Sequence, residues 1–118
     1  MRTESLLFKA LSDPTRLRIA ALLSVKREVC VCTLAAALEA RDFKISRHLA
    51  ILRAAGVVQA RREGTWMHYR LASPRSEVER CLFECFRRHL KDHPTVRADL
   101  KRLDRPVCAV RAASNDRR

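Results

Sequence analysis

TLAAALEARDFKISRHLAILRAAG, residues 33–56, is the stretch whose reading decides the fold. Thr33 has the side chain of an N-cap for a helix over Leu34–Glu39, and the alanines of that segment permit close helix approach. Ala40-Arg41-Asp42 then forms a short turn, with Asp42 placed to cap a second helix over Phe43–Ala55. Gly56 ends it, since glycine enters the left-handed conformation that closes a helix at no steric cost. Helix, three-residue turn and helix ending at glycine make a helix-turn-helix. The period then changes. VVQARREGTWMHYRL, residues 57–71, reads as two strands, Val57–Arg62 and Trp66–Leu71, around the turn Glu63-Gly64-Thr65. A hairpin directly after a helix-turn-helix makes a winged helix.

Working outward, Glu4–Leu11 carries one apolar face (Leu6, Leu7, Ala10, Leu11) and reads as a first helix. Asp13 is placed to cap a second, running from Pro14 to about Ser24, where proline gives up an N–H that has no partner. Pro74 opens a long helix to about Leu90 with Val78, Leu82, Phe86 and Leu90 in an i, i+4 ladder. A weaker helix with Val96, Leu100 and Leu103 follows Pro94, and little order is expected beyond Pro106. The expected fold is mainly α with a small β-hairpin, a dimeric winged helix-turn-helix in the order α-α-α-α-β-β-α. Residues 1–92 are expected to form the winged-helix domain with its dimerisation helices, and residues 93–118 a C-terminal helix and flexible basic tail.

Composition narrows the partners. The 118 residues suit one domain, and 47% hydrophobic residues exceed what a disordered basic tail carries. The formal net charge is +12, concentrated in residues 41–70 (+5) and 87–118 (+6). A polyanion is the matching partner. Double-stranded DNA fits better than a membrane surface, because no basic amphipathic helix with exposed aromatics appears. No apolar run is long enough to span a bilayer and no leader pattern opens the chain, so a soluble, cytoplasmic protein is expected. Five cysteines in that compartment are thiols, which points to soft-ion binding or redox chemistry.

In the helix Phe43–Ala55, Ile45, Leu49 and Leu52 share one face and belong to the core. Lys44, Ser46, Arg47 and His48 then stand near its N-terminal turns, where a recognition helix meets base edges. Arg47 has the geometry for a bidentate contact to guanine, whereas His48 serves equally as a half-buried histidine bonded to its neighbours. Arg61, Arg62 and Thr65 are placed at the hairpin tip, in reach of phosphate or the minor groove. A helix-turn-helix monomer reads too short a site for useful specificity, and the ladder Val78–Leu90 needs a cover. A homodimer through that helix and Leu6–Leu11 answers both needs.

Several segments resemble arsenic-responsive repressors of the ArsR/SmtB family. Glu28-Val29-Cys30-Val31-Cys32-Thr33-Leu34 is similar to the Glu-Leu-Cys-Val-Cys-Asp-Leu box of those proteins. Leu11-Ser12-Asp13-Pro14-Thr15-Arg16-Leu17-Arg18-Ile19 is similar to their N-terminal signature. Ile45–Arg53 with Ala55-Gly56-Val57-Val58 resembles their recognition helix and its exit, and Arg62–Leu71 their wing. The resemblance covers about residues 4–75. It implies a homodimeric winged-helix repressor that leaves its operator when arsenite, As(III), or sometimes Sb(III), binds the cysteine box, with no organic cofactor. In place of a third cysteine common three positions after the second, this chain has Ala35. Cys108, from the same subunit or the other, is the candidate third ligand.

The chemistry agrees with the resemblance, since thiophilic ions select thiolates over imidazole or carboxylate. Two sulfurs on one ion must lie under about 4 Å apart, taking a bond of about 2.3 Å. Residues two apart point in opposing directions on a helix and on a strand alike. Binding at Cys30 and Cys32 is therefore expected to distort the backbone around Val31, and that distortion to be the trigger. Cys81, Cys85 and His89 recur every four residues as a candidate second metal site, although packing serves them as well. The alternatives are a Cd/Zn or redox sensor of the same fold and, outside that class, a thiol enzyme. No Gly-rich anion loop or βαβ unit surrounds the cysteines to support the enzyme.

Overall fold

The computed structural model describes residues 1–105. Cys108 and the remainder of the C-terminal segment lie outside them. Six α-helices and three strands run in the order α1 (Arg2–Leu11), α2 (Pro14–Val25), β1 (Val29–Cys30), α3 (Val31–Ala37), α4 (Asp42–Ala54), β2 (Val58–Glu63), β3 (Trp66–Leu71), α5 (Glu77–Arg88) and α6 (Pro94–Leu103), with a 3₁₀ turn at Leu90–Asp92. Asp13 caps α2 as expected, accepting from the Arg16 amide at 3.1 Å. Gly56, at φ +77°, closes α4 through Gly56 N–H to Arg53 O and Val57 N–H to Leu52 O. The same pair of bonds ends α3, from Glu39 N–H to Ala36 O and Ala40 N–H to Ala35 O. There the left-handed position is Glu39, at φ +54°.

Three local expectations are corrected. First, α3 starts at Val31 with Cys30 at its N-cap, so Thr33 does not cap it and Cys32 lies inside its first turn. The cause is a strand absent from the sequence reading: Val29 and Cys30 pair antiparallel with Tyr69 and His68, giving a sheet of order β1-β3-β2. Second, Arg41 rather than Asp42 holds the N-cap position of α4. Third, Glu63 pairs with Trp66, which shortens the hairpin loop to Gly64-Thr65. Gly64 supplies the positive φ (+62°) that a two-residue turn needs at its first position.

The core is one cluster. Leu7 and Leu11 of α1, Ile19 and Leu22 of α2, Leu34 of α3, and Ile45, Leu49 and Leu52 of α4 pack with Val29, Val58 and Tyr69 of the sheet. α5 begins at Glu77, with Ser76 as its cap, rather than at Pro74. Of its expected ladder, Phe86 joins the core together with Phe83, while Val78 stays 44% exposed. The helix is two-sided, and only its outer half awaits a cover.

α6 shares this core through Val96 and Leu103, so it is continuous with residues 1–92 and not a separate appendage of the tail. Buried Asp99 holds it there, accepting from Arg18 Nε of α2 at 2.9 Å and from Arg102 Nη2 at 2.7 Å. Arg102 in turn donates from Nε to Ala37 O at 2.6 Å, filling an acceptor that the end of α3 leaves open. Asp99 is 0% exposed, whereas the two arginine side chains are 27% and 22% exposed. This asymmetry sets an order of costs. Asp99→Ala leaves two arginines free to turn to solvent. The double variant Arg18→Ala/Arg102→Ala strands a buried carboxylate and should cost about 3–5 kcal/mol, clearly more than Asp99→Ala. Urea unfolding of both variants measures the order, and equal losses would contradict it.

Candidate metalloid site and nucleic-acid interface

Cys30 ends a strand and Cys32 belongs to a helical turn, and the change of backbone between them reverses the expected divergence. The two Sγ atoms lie 3.3 Å apart. The divergence of residues two apart holds within a regular helix or strand and not at this junction. Cys30 is half-buried and a free thiol, whereas Cys32 is buried and disulfide-bonded, so it becomes a ligand only once reduced. Opposite Cys30 in the ladder stands His68, whose Nε2 is buried without a hydrogen-bond partner among the described residues, with Glu63 Oε1 at 3.6 Å. Sequence reading missed His68, since its place beside the cysteines depends on the β1–β3 pairing. Ala35, where a third cysteine would stand, is buried in α3.

Cys81 and Cys85 are exposed on α5, and His89 is exposed just past its end. Among the described residues no three His, Cys, Asp or Glu side chains converge to hold an ion, so the expected second site is not assembled there. Instead Cys81 and Cys85 line a shallow apolar groove with Phe8, Val78 and Leu82.

On α4, Lys44, Ser46 and Arg47 are exposed, as a reading face requires. His48 is half-buried and turned inward: Arg16 Nη1 lies 3.4 Å from its Nδ1 and Asp13 Oδ2 3.9 Å. Arg16 also donates to Ala10 O at 2.7 Å, so this cluster joins the end of α1, the start of α2 and α4. The wing residues separate. Arg62 and Thr65 are exposed, with Thr65 in the loop. Arg61 is not at the tip. It pairs with His68 in mid-hairpin and reaches Glu28, Nη2 to Oε1, at 2.6 Å. The Arg61 hydrogen bond holds the Glu28 carboxyl below the usual carboxylate range.

Another arginine absent from the sequence reading has a structural post. Arg75 donates to Ala55 O at 3.1 Å, beyond the end of α4, and from Nε to Glu79 Oε2 at 2.9 Å. Glu79 is 1% exposed. Burial pushes its carboxyl up, but the bonds from Arg75 outweigh this and leave it below the ordinary range. The guanidinium also lies over Gly56, where an added Cβ would meet Arg75 Nη1 at 2.5 Å.

A winged helix with two adjoining sulfurs at the head of its first helix-turn-helix segment defines a class of regulators. Residues 13–60 match the model of the bacterial regulatory protein, arsR family. The arsenical resistance operon repressor of Escherichia coli (strain K12) is 54% identical over 66 residues, covering 56% of this chain and 56% of the relative. This chain thus spans little over half of that repressor. HlyU from Vibrio cholerae N16961 superposes with a TM-score of 0.64 at 33% identity, over 74% of this chain and 90% of HlyU. The homodimeric winged helix-turn-helix DNA-binding domain Mb0332 from Mycobacterium bovis superposes with a TM-score of 0.62 at 33% identity, over 79% and 86%. This chain belongs to the arsR family.

The division within the wing is measurable. Arg62→Ala should lower the salt slope of DNA affinity by about one unit for each protomer bound, the loss of one phosphate contact per chain. Arg61→Ala should leave that slope unchanged and let the Glu28 carboxyl rise, read by NMR titration. Equal slope changes in both variants would contradict the assignment.

Proposed function

We propose that this chain is a dimeric, cytoplasmic DNA-binding repressor that releases its operator when trivalent arsenic binds Cys30 and Cys32. Lys44, Ser46 and Arg47 read bases from α4, and Arg62 and Thr65 hold backbone from the wing. The half-buried His48 positions α4 from behind. The apolar groove of Phe8, Val78, Cys81, Leu82 and Cys85 supports dimerisation through α1 and α5, as does the homodimeric state of Mb0332.

The observation that carries the arsenic reading is the sulfur spacing. Trivalent arsenic is soft enough to select thiolates. Once a cellular dithiol has reduced Cys32, each As–S bond replaces an As–OH bond of arsenous acid, and the thiol proton leaves with the hydroxide as water.

Because two donors already stand together, closing on them alone barely distinguishes one conformer from another, and a ligand shifts an equilibrium only by its differential affinity. The difference comes from the third donor, which we assign to Cys108 of the same chain. Asp104 pairs with Lys26 at 3.0 Å, so the described chain arrives beside the segment leading into Cys30. Cys108 is four residues further, at most about 14 Å of extended chain. Arg102 fastens α6 to the end of α3, so a tail drawn onto the cysteines loads α3 and, through the short turn, α4.

A second reading keeps the same fold and takes Zn or Cd, which select thiolates as well. Fluorescence anisotropy on duplex DNA from upstream of the coding sequence, in reducing buffer, separates the readings. Arsenite should release the wild-type chain. Cys30→Ser, Cys32→Ser and Cys108→Ser should bind DNA as wild type does, yet need at least about tenfold more arsenite for release. Unchanged release in the Cys30/Cys32 double variant would overturn the metalloid site. Release by zinc or cadmium but not arsenite would establish the divalent reading instead.

A further inference from the structure

Past the C-terminal end of α4 the surface opens into a cleft between that end, the hairpin and the segment leading into α5. Arg53, Arg61, Arg70 and Arg75 line it, with Glu28 as the single carboxylate. Two of the four guanidiniums are held in place, Arg61 by Glu28 and Arg75 by Glu79 and the Ala55 carbonyl. Arg53 and Arg70 are exposed, and neither guanidinium makes a hydrogen bond or ion pair among the described residues, although the Arg70 charge helps to hold the Glu28 carboxyl down. Gln59, which also lines the cleft, is the ladder partner of Arg70, so both project from the same face of the hairpin.

The cleft continues the reading face. Ser46, Ala50 and Arg53 follow one another at i, i+4 and i+7 on α4, one stripe of the helix. Arg53 lies about 10 Å along the axis from Ser46. A guanidinium fork matches the paired oxygens of phosphate. The cleft is partly open to solvent. An extended chain of phosphates fits such a groove better than a small anion that needs enclosure.

We propose that this cleft seats the sugar–phosphate backbone of the bound DNA between the recognition helix and the wing. Arg53 and Arg70 make the phosphate contacts, and Arg61 and Arg75, paired with Glu28 and Glu79, form the fixed walls of the cleft. The proposal rests on the DNA-binding reading and adds to it a sequence-independent anchor outside the base-reading turns. In complexes it enlarges the footprint beyond α4 and the wing tip.

The test is the salt dependence of binding to a mixed-sequence duplex and to the upstream duplex, measured by anisotropy. The double variant Arg53→Gln/Arg70→Gln keeps side-chain bulk, and its thermal melt should match wild type. Its slope of log affinity against log salt should fall on both duplexes by about 1.8 for each protomer bound, about 0.9 for each phosphate lost, and so by about 3.6 for a dimer. An unchanged slope, in a variant that melts as wild type does, overturns the proposal while leaving the DNA reading intact. Wild-type protein that binds neither duplex removes that reading and the proposal together. A free anion is the competing source of phosphate: if millimolar pyrophosphate raises the melting temperature of wild type but not of the double variant, and the slope stays unchanged, the cleft is a small-anion site instead.

Discussion

The strand-to-helix junction at Cys30 and Val31 is the constraint on which the rest depends. Pairing with β3 commits Val29 and Cys30 to the hairpin, and the chain must become helical at the next residue to start α3. Cys30 is thereby anchored to the wing and Cys32 to the first helix of the helix-turn-helix. The two parts that a winged helix presents to DNA meet at this pair of sulfurs, 3.3 Å apart. In the proposed mechanism the ion draws the third donor to that point, and the pull reaches α3 and α4 through Arg102 and the short turn.

Around the junction, arginines recur in one structural role. Arg16 donates to Ala10 O at the end of α1, Arg102 to Ala37 O at the end of α3, and Arg75 to Ala55 O just past α4. Each meets a carbonyl that a helix terminus leaves unsatisfied and places a cation at the negative end of its dipole. Two of the three are held by buried carboxylates, Arg102 by Asp99 and Arg75 by Glu79. Such pairs add little net stability, because desolvation offsets attraction, but breaking one is costly. They fix where α5 and α6 sit relative to the reading head. A protein with 25 basic residues thus spends several of them on its own framework, and net charge alone overstates the surface offered to a polyanion.

Helices α1, α2 and α4 and the hairpin are legible because local signals agree: Asp13 before Pro14, Gly56 after α4, and alternation around Gly64. β1 is too short to show a period, and it exists only through pairing with residues some forty positions later. Missing it shifted the start of α3 and turned the cysteine spacing into an apparent obstacle. The same long-range pairing hid His68. Arg61 was misplaced by one turn residue, since a three-residue loop puts it nearer the tip than the two-residue loop does. Asp99 and Glu79 carry no local mark of burial. Each is an acid on a helix until tertiary contacts with Arg18, Arg102 and Arg75 are known.

In the proposed mechanism Cys30 and reduced Cys32 are the first two donors and Cys108 supplies the change. X-ray absorption at the arsenic edge, on the full chain loaded with one equivalent of arsenite, counts the sulfur neighbours directly. Three sulfurs in the wild-type chain, falling to two in Cys108→Ser, is the result that the account requires. Two sulfurs in a wild-type chain that has fully released its DNA would contradict it.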